Sequence, residues 1–181
     1  MKNYFKYFLA LILCLVISGC SSGLNAGLEA YQSPDGRYGF FYPTGWTRVK
    51  VEGGPEIIYH DLINSNETLS LVISDVNKDI ELEQLGTPLE VGQTLIDKVI
   101  APEGSGRSVE LINANQREAS NHTFYDLEYA LNLNNQDRHE IATVVIDRGS
   151  LYTFAVGTNQ ERWNKVEKLF ANVIESFNFL I

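Results

Sequence analysis

The residues with most to offer chemically are one cysteine near the N-terminus and three histidines with carboxylates close by. Cys20 ends the sequence Ile17-Ser18-Gly19-Cys20, a hydrophobic residue, two small ones and a thiol, directly after an apolar run that begins at Leu9 and follows Lys2 and Lys6. That order has the form of a bacterial lipoprotein processing site, which predicts a signal peptide over residues 1–19 and cleavage before Cys20. A diacylglyceryl thioether on Cys20 plus N-acylation supplies more than one acyl chain, which turns a marginal anchor into a stable one. The alternative is a permanent transmembrane helix. The run is short for a bilayer span, and no basic cluster follows it.

His60-Asp61 and the pair Asp137 and His139 each put imidazole beside carboxylate, the donor set that binds Zn2+ weakly or shifts a titration. Two ligands are too few unless others fold in, so a weakly held Zn2+ or Ca2+ and a plain surface role both stand for these four residues. Asp126 and Glu128, two apart on one strand face, could share a metal or a proton, or could simply be solvated. Catalytic patterns are missing. No Gly-x-Ser-x-Gly elbow or His-Glu-x-x-His occurs, His122 belongs to no motif, and Gly104-Ser105-Gly106 lacks the lysine of a phosphate loop. The chain reads as a non-enzyme that requires no cofactor.

With Lys2 and Lys6 gone, 12 basic residues face 23 acidic ones, and the formal charge moves from -9 to -11. Such a surface repels nucleic acid. Cys14 leaves with the leader and Cys20 takes the lipid, so no thiol remains for a disulfide or a metal, and stability must come from packing. The scarce basic groups Arg48, Lys50, Arg107, Arg117, Arg138 and Arg148 are those able to meet an acidic partner. Residues 20–30 read as a lipidated tether and residues 31–181 as one domain.

Several segments position these groups. Ser33-Pro34-Asp35-Gly36 is a turn before an aromatic strand from Arg37 to Tyr42, and Trp46 to Val51, Ile57 to His60 and Thr68 to Ser74 follow as strands. Thr87-Pro88-Leu89-Glu90 carries a capping box with proline at the first helical position, opening a helix with the stripe Leu89, Gly92, Leu95, Ile96 and Val99 that ends at Ala101-Pro102. Arg107 to Ala119 is a long strand. Thr123 to Leu133 alternates clearly, and turns of hairpin length carry the chain through two further strands to Gly157, an antiparallel meander. Thr158-Asn159-Gln160-Glu161 repeats the capping pattern before Trp163, Val166, Phe170, Val173 and Phe177, an amphipathic helix that should lie across the sheet. The predicted class is α/β, with a mainly antiparallel sheet covered by helices.

The stretch Tyr38-Gly39-Phe40-Phe41-Tyr42-Pro43-Thr44-Gly45-Trp46, with Ser33-Pro34-Asp35-Gly36 before it, resembles the opening signature of the PsbP family, the extrinsic lumenal proteins of photosystem II. Leu85-Gly86-Thr87-Pro88 before a helix, Leu151-Tyr152-Thr153-Phe154, then Trp163 and Phe177 continue the resemblance in order. The lipobox is similar to that of the cyanobacterial member. The resemblance implies an α/β/α sandwich and a non-catalytic protein on the lumenal side of the thylakoid membrane. It also implies support of photosystem II assembly and of the calcium and chloride requirement of water oxidation. The long N-terminal extension of the plant member is missing here, which turns the expectation from ion retention towards assembly or stabilisation. A lipid-anchored module for a divalent cation or small ligand is the other reading.

Overall fold

The computed structural model describes residues 26–133 and 136–180, so the signal peptide, Cys20 and most of the tether lie outside the described residues. The first strand, β1, is Leu28–Gln32, followed by β2, Tyr38–Pro43. Strand β1 thus begins inside the stretch read as tether, because backbone pairing with β2, and not an apolar pattern of its own, orders it. Next come β3 (Thr47–Val49), β4 (Ile57–His60) and β5 (Thr68–Asp75), then a 3-10 turn, Leu82–Leu85. Helix α1 is Pro88–Leu95 and runs into a π-helical turn, Ile96–Ile100. Four long strands follow: β6 (Ser108–Ala119), β7 (His122–Leu133), β8 (Gln136–Asp147) and β9 (Ser150–Asn159). Helix α2 is Trp163–Glu175, and the short β10, Asn178–Phe179, closes the chain.

Seven strands form one sheet in the order β3-β4-β5-β9-β8-β7-β6, and every adjacent pair is antiparallel. Two connections are two-residue hairpins with φ > 0 at both centres, Ser120 and Asn121 between β6 and β7, Arg148 and Gly149 between β8 and β9. That is the turn whose twist suits paired strands. The aromatic strand β2 is not part of this sheet. It forms a second, three-stranded sheet in the order β1-β2-β10.

Helix α2 and the small sheet cover one face of the large sheet. Tyr38, Phe40, Trp46, Phe154, Trp163, Phe170 and Phe177 share that core with Leu69 and Leu71. Helix α1 covers the other face over Tyr125, Leu127, Tyr129, Val144 and Ala155. The result is the α/β/α sandwich, built on period-2 alternation: Tyr125, Leu127, Tyr129 and Leu131 go to the α1 face and Phe124 to the α2 face.

Two helical details differ from the sequence pattern. In α1 the capping box forms as expected, with the Glu90 N–H donating to Thr87 Oγ1 at 3.4 Å and the Thr87 N–H donating to Glu90 Oε2 at 2.8 Å. The buried residues are Val91, Gly92 and Ile96, whereas Leu89 is 63% exposed and Val99 60%. The π turn after Leu95 adds a residue to the repeat and swings Val99 outward. Gly92 is where the helix meets the sheet, since a Cβ there would come within 2.8 Å of Leu111. The second capping box does not form. Strand β9 runs through Thr158, whose side chain is buried, and α2 starts after a 3-10 turn with no side-chain cap.

Candidate docking surface

Of the metal pairs read from the sequence, Asp61, Asp137 and His139 hydrogen-bond to other groups. Asp61 opens the β4–β5 loop, where Oδ1 accepts the Ile63 N–H at 2.8 Å and Oδ2 accepts the Asn64 amide at 2.6 Å. Those two donors, the Asn64 amide first, hold its carboxyl below the usual range. Both oxygens face loop donors, and His60 sits on β4 opposite Thr47 and Thr68. Asp137 and His139 do not pair either. Asp137 Oδ1 accepts the Asn132 amide at 2.7 Å. His139 is buried, with Nε2 2.7 Å from Glu128 Oε1 and Nδ1 3.0 Å from Gln160 Oε1, and its ring stacks on Trp163 with centroids 3.9 Å apart. Both ring nitrogens are engaged in tying β8 to β7 and to the start of α2. Among the described residues no three His, Cys, Asp or Glu side chains group as a metal site.

Asp126 and Glu128 are neither a shared-proton pair nor a solvated face. Asp126 accepts from Arg117 Nε at 2.7 Å, and Glu128 holds His139. Arg117 also lies over the Phe124 ring at 4.1 Å, so its charge is spent inside the fold. Arg138 is likewise internal, donating to the Asn66 carbonyl at 2.8 Å and to Thr68 Oγ1 at 3.1 Å. Arg107 donates to the Ile100 carbonyl at 3.0 Å, closing the end of the π turn. Arg148 stands in the β8–β9 hairpin, 3.9 Å from Asp147.

Arg48 and Lys50 differ from the other four. They lie on and just beyond β3, the edge strand of the large sheet, at the mouth of a 570 Å³ surface cleft formed by the β3–β4 loop from Arg48 to Glu56. Val51, 51% exposed, stands beside them. Arg48 is aimed by Tyr31, with its guanidinium 5.6 Å from the ring centroid, which joins the edge to the small sheet. A strand of three residues with Arg at its centre resists unplanned pairing, and two cations and an exposed valine stand together at this edge. The other sheet edge, β6, lies six strand spacings away, about 30 Å. Arg107 and Arg48 therefore belong to different surfaces.

Sequence reasoning missed Glu67 and Arg162. Glu67 is buried, its Oε1 accepts from Arg162 Nε at 2.5 Å, and the pair fastens the β4–β5 loop to the turn before α2. Ninety-five residues separate them, so no local pattern could reveal the pair.

This architecture has close counterparts. The protein CyanoP of Thermosynechococcus vestitus is 39% identical over 182 residues, covering 98% of each chain, and CyanoP of Synechocystis sp. is 36% identical over 172 residues, covering 93% of this chain and 92% of that one. The solution structure of the Synechocystis protein, described as cyanobacterial PsbP, superposes with a TM-score of 0.73 at 36% identity, covering 90% of this chain and 97% of the other. The PsbP family model matches residues 26–179, which takes in every strand and helix described above, and with these relatives it shows that the chain belongs to the PsbP family.

Proposed function

We propose that the protein is a non-catalytic accessory of photosystem II, anchored by lipid on Cys20 to the lumenal side of the thylakoid membrane. There it docks on lumenal subunits or assembly intermediates through the β3 edge. The observation that carries this reading is the family match over residues 26–179. The β3 edge supports the proposed surface: Arg48, Lys50 and Val51 are exposed there, while Arg117 and Arg138 bond within the fold. Tethering confines the domain near membrane complexes and raises its effective concentration, so that a small interface suffices. Assembly or stabilisation of the complex is the role proposed.

The test is native fractionation of membranes solubilised at low salt. The wild-type protein should migrate with photosystem II or its assembly intermediates, and Arg48→Glu with Lys50→Glu should shift it to the free fraction while its circular dichroism stays unchanged. Migration as free protein in the wild type would reject the docking reading. Intact mass of the mature protein checks the anchor, and an N-terminus other than lipid-modified Cys20 would reject it.

A further inference from the structure

The loop between β4 and β5 holds two adjacent apolar side chains in water, Leu62 at 67% and Ile63 at 90% exposure. Single exposed apolar residues are ordinary on any protein surface. This pair is different because its loop is fixed from below. Asp61 accepts the Ile63 N–H and the Asn64 amide, the Asp61 N–H donates to the Glu67 carbonyl at 3.2 Å, and the Glu67 N–H donates to the Asn64 carbonyl at 2.7 Å. The buried Glu67 carboxylate is held by Arg162, and Arg138 grips the Asn66 carbonyl. Leu62 and Ile63 are thus held out by a polar frame and cannot fold back without breaking it.

The chain enters the domain at the same end of the molecule. The Thr44 N–H donates to the Gly27 carbonyl at 2.9 Å, and three residues later Thr47 opens β3 opposite His60, the residue before Asp61. Seven peptide steps run from Cys20 to Gly27. Even fully extended they span about 25 Å. A lipid on Cys20 therefore keeps this end close to the bilayer, while the Ser120-Asn121 and Arg148-Gly149 hairpins lie at the other end.

We propose that Leu62 and Ile63 insert into the lipid surface as a second, non-covalent membrane contact that orients the domain. The proposal rests on the lipid-anchor reading given above. The contact is apolar in character: Arg138 and Arg162 at this end are engaged by Asn66 and Glu67, and the residue preceding the pair is the acidic Asp61. It therefore works on neutral lipid and is insensitive to salt. Two side chains at a loop tip reach the interface and do not span it.

The test uses the full lipidated chain with Ile63→Cys carrying an environment-sensitive fluorophore, reconstituted in phosphatidylcholine vesicles. Lys78→Cys, beside Gly149 at the other end, serves as the reference. The Cys20 sulfur is in thioether linkage and does not label. The label at 63 should be blue-shifted and quenched by nitroxides on the acyl chains, and the label at 78 should not. In a second arm, unlipidated Cys20→Ser protein should partition onto the same vesicles about thirtyfold better than the same chain with Leu62→Ser and Ile63→Ser. A label at 63 as aqueous as that at 78, in protein whose intact mass proves lipidation, overturns the proposal. Shielding that arises only when photosystem II complexes are present also overturns it, and assigns the pair to a protein partner. If the intact mass shows no lipid, the anchor reading fails, and the second arm still decides whether the pair meets the membrane.

Discussion

Replacing Phe170 by alanine probes the packing that defines this fold. Phe170 is fully buried on the inner face of α2, edge-on to Trp46 with centroids 5.9 Å apart and to Trp163 with centroids 6.4 Å apart. Truncating a buried phenylalanine costs about 3–5 kcal/mol, a range that includes the cavity left behind. Loss of two edge-to-face contacts places the expected value near the middle, roughly 4 kcal/mol. For a folded unit of this size that lowers Tm by roughly 8–16 °C. Trp46 and Trp163 are the two tryptophans of the chain, so their emission in a urea titration reads out this core directly. The midpoint should fall with an unchanged slope, and the native emission should move to longer wavelength. Val99→Ala, on the exposed side of the π turn, should stay within about 0.5 kcal/mol of wild type. A Phe170→Ala loss below about 1 kcal/mol with unaltered emission would refute the placement of α2 over the sheet.

Thr87→Ala removes the capping box of α1 and should cost about 1 kcal/mol in thermal unfolding, with Thr87→Ser restoring most of it. Burial raises the Glu140 carboxyl above its usual range, partly offset by Arg138, so the folded state keeps a proton that the unfolded chain has released. Stability then falls as pH rises from the unfolded value towards the folded one, and stays lower above it. Glu140→Gln should flatten that decline and raise Tm at pH 8 in a pH series of melts. Chelator-treated protein titrated with Zn2+ should give no saturable heat at micromolar concentration, because the Asp61 and His139 donor atoms are already engaged. A stoichiometric isotherm abolished by His60→Ala would contradict this.

The meander and the last helix were legible because their signals are local. Alternation in Thr123 to Leu133 set the faces of β7, and the spacing of Trp163, Val166, Phe170 and Val173 set the buried side of α2. The separate sheet of β1, β2 and β10 was not legible, since β10 is two residues long and pairs with Tyr38 and Gly39 far back in the chain. Thr158 to Glu161 matched a capping box by composition, yet pairing of β8 with β9 through Thr158 and Asn159 prevailed over the helix signal. At the site, sequence could pick out the basic residues but not sort them. Arg117 and Arg138 are consumed by Asp126 and by the Asn66 carbonyl, partners supplied by register and loop geometry, while Arg48 and Lys50 stay outward because β3 is an edge. The His139 pairing with Glu128 likewise depends on the β7–β8 register.

Amine-directed crosslinking of intact, unsolubilised thylakoid membranes, read by mass spectrometry, tests the docking claim most directly. Lys50 stands at the proposed contact, whereas Lys165 and Lys168 project from the exposed face of α2. The account predicts links from Lys50 to lumenal segments of photosystem II subunits, lost when Arg48→Glu weakens the contact. Links to those subunits from Lys165 or Lys168 alone would move the docking face to α2, and no link to any photosystem II subunit would contradict the account.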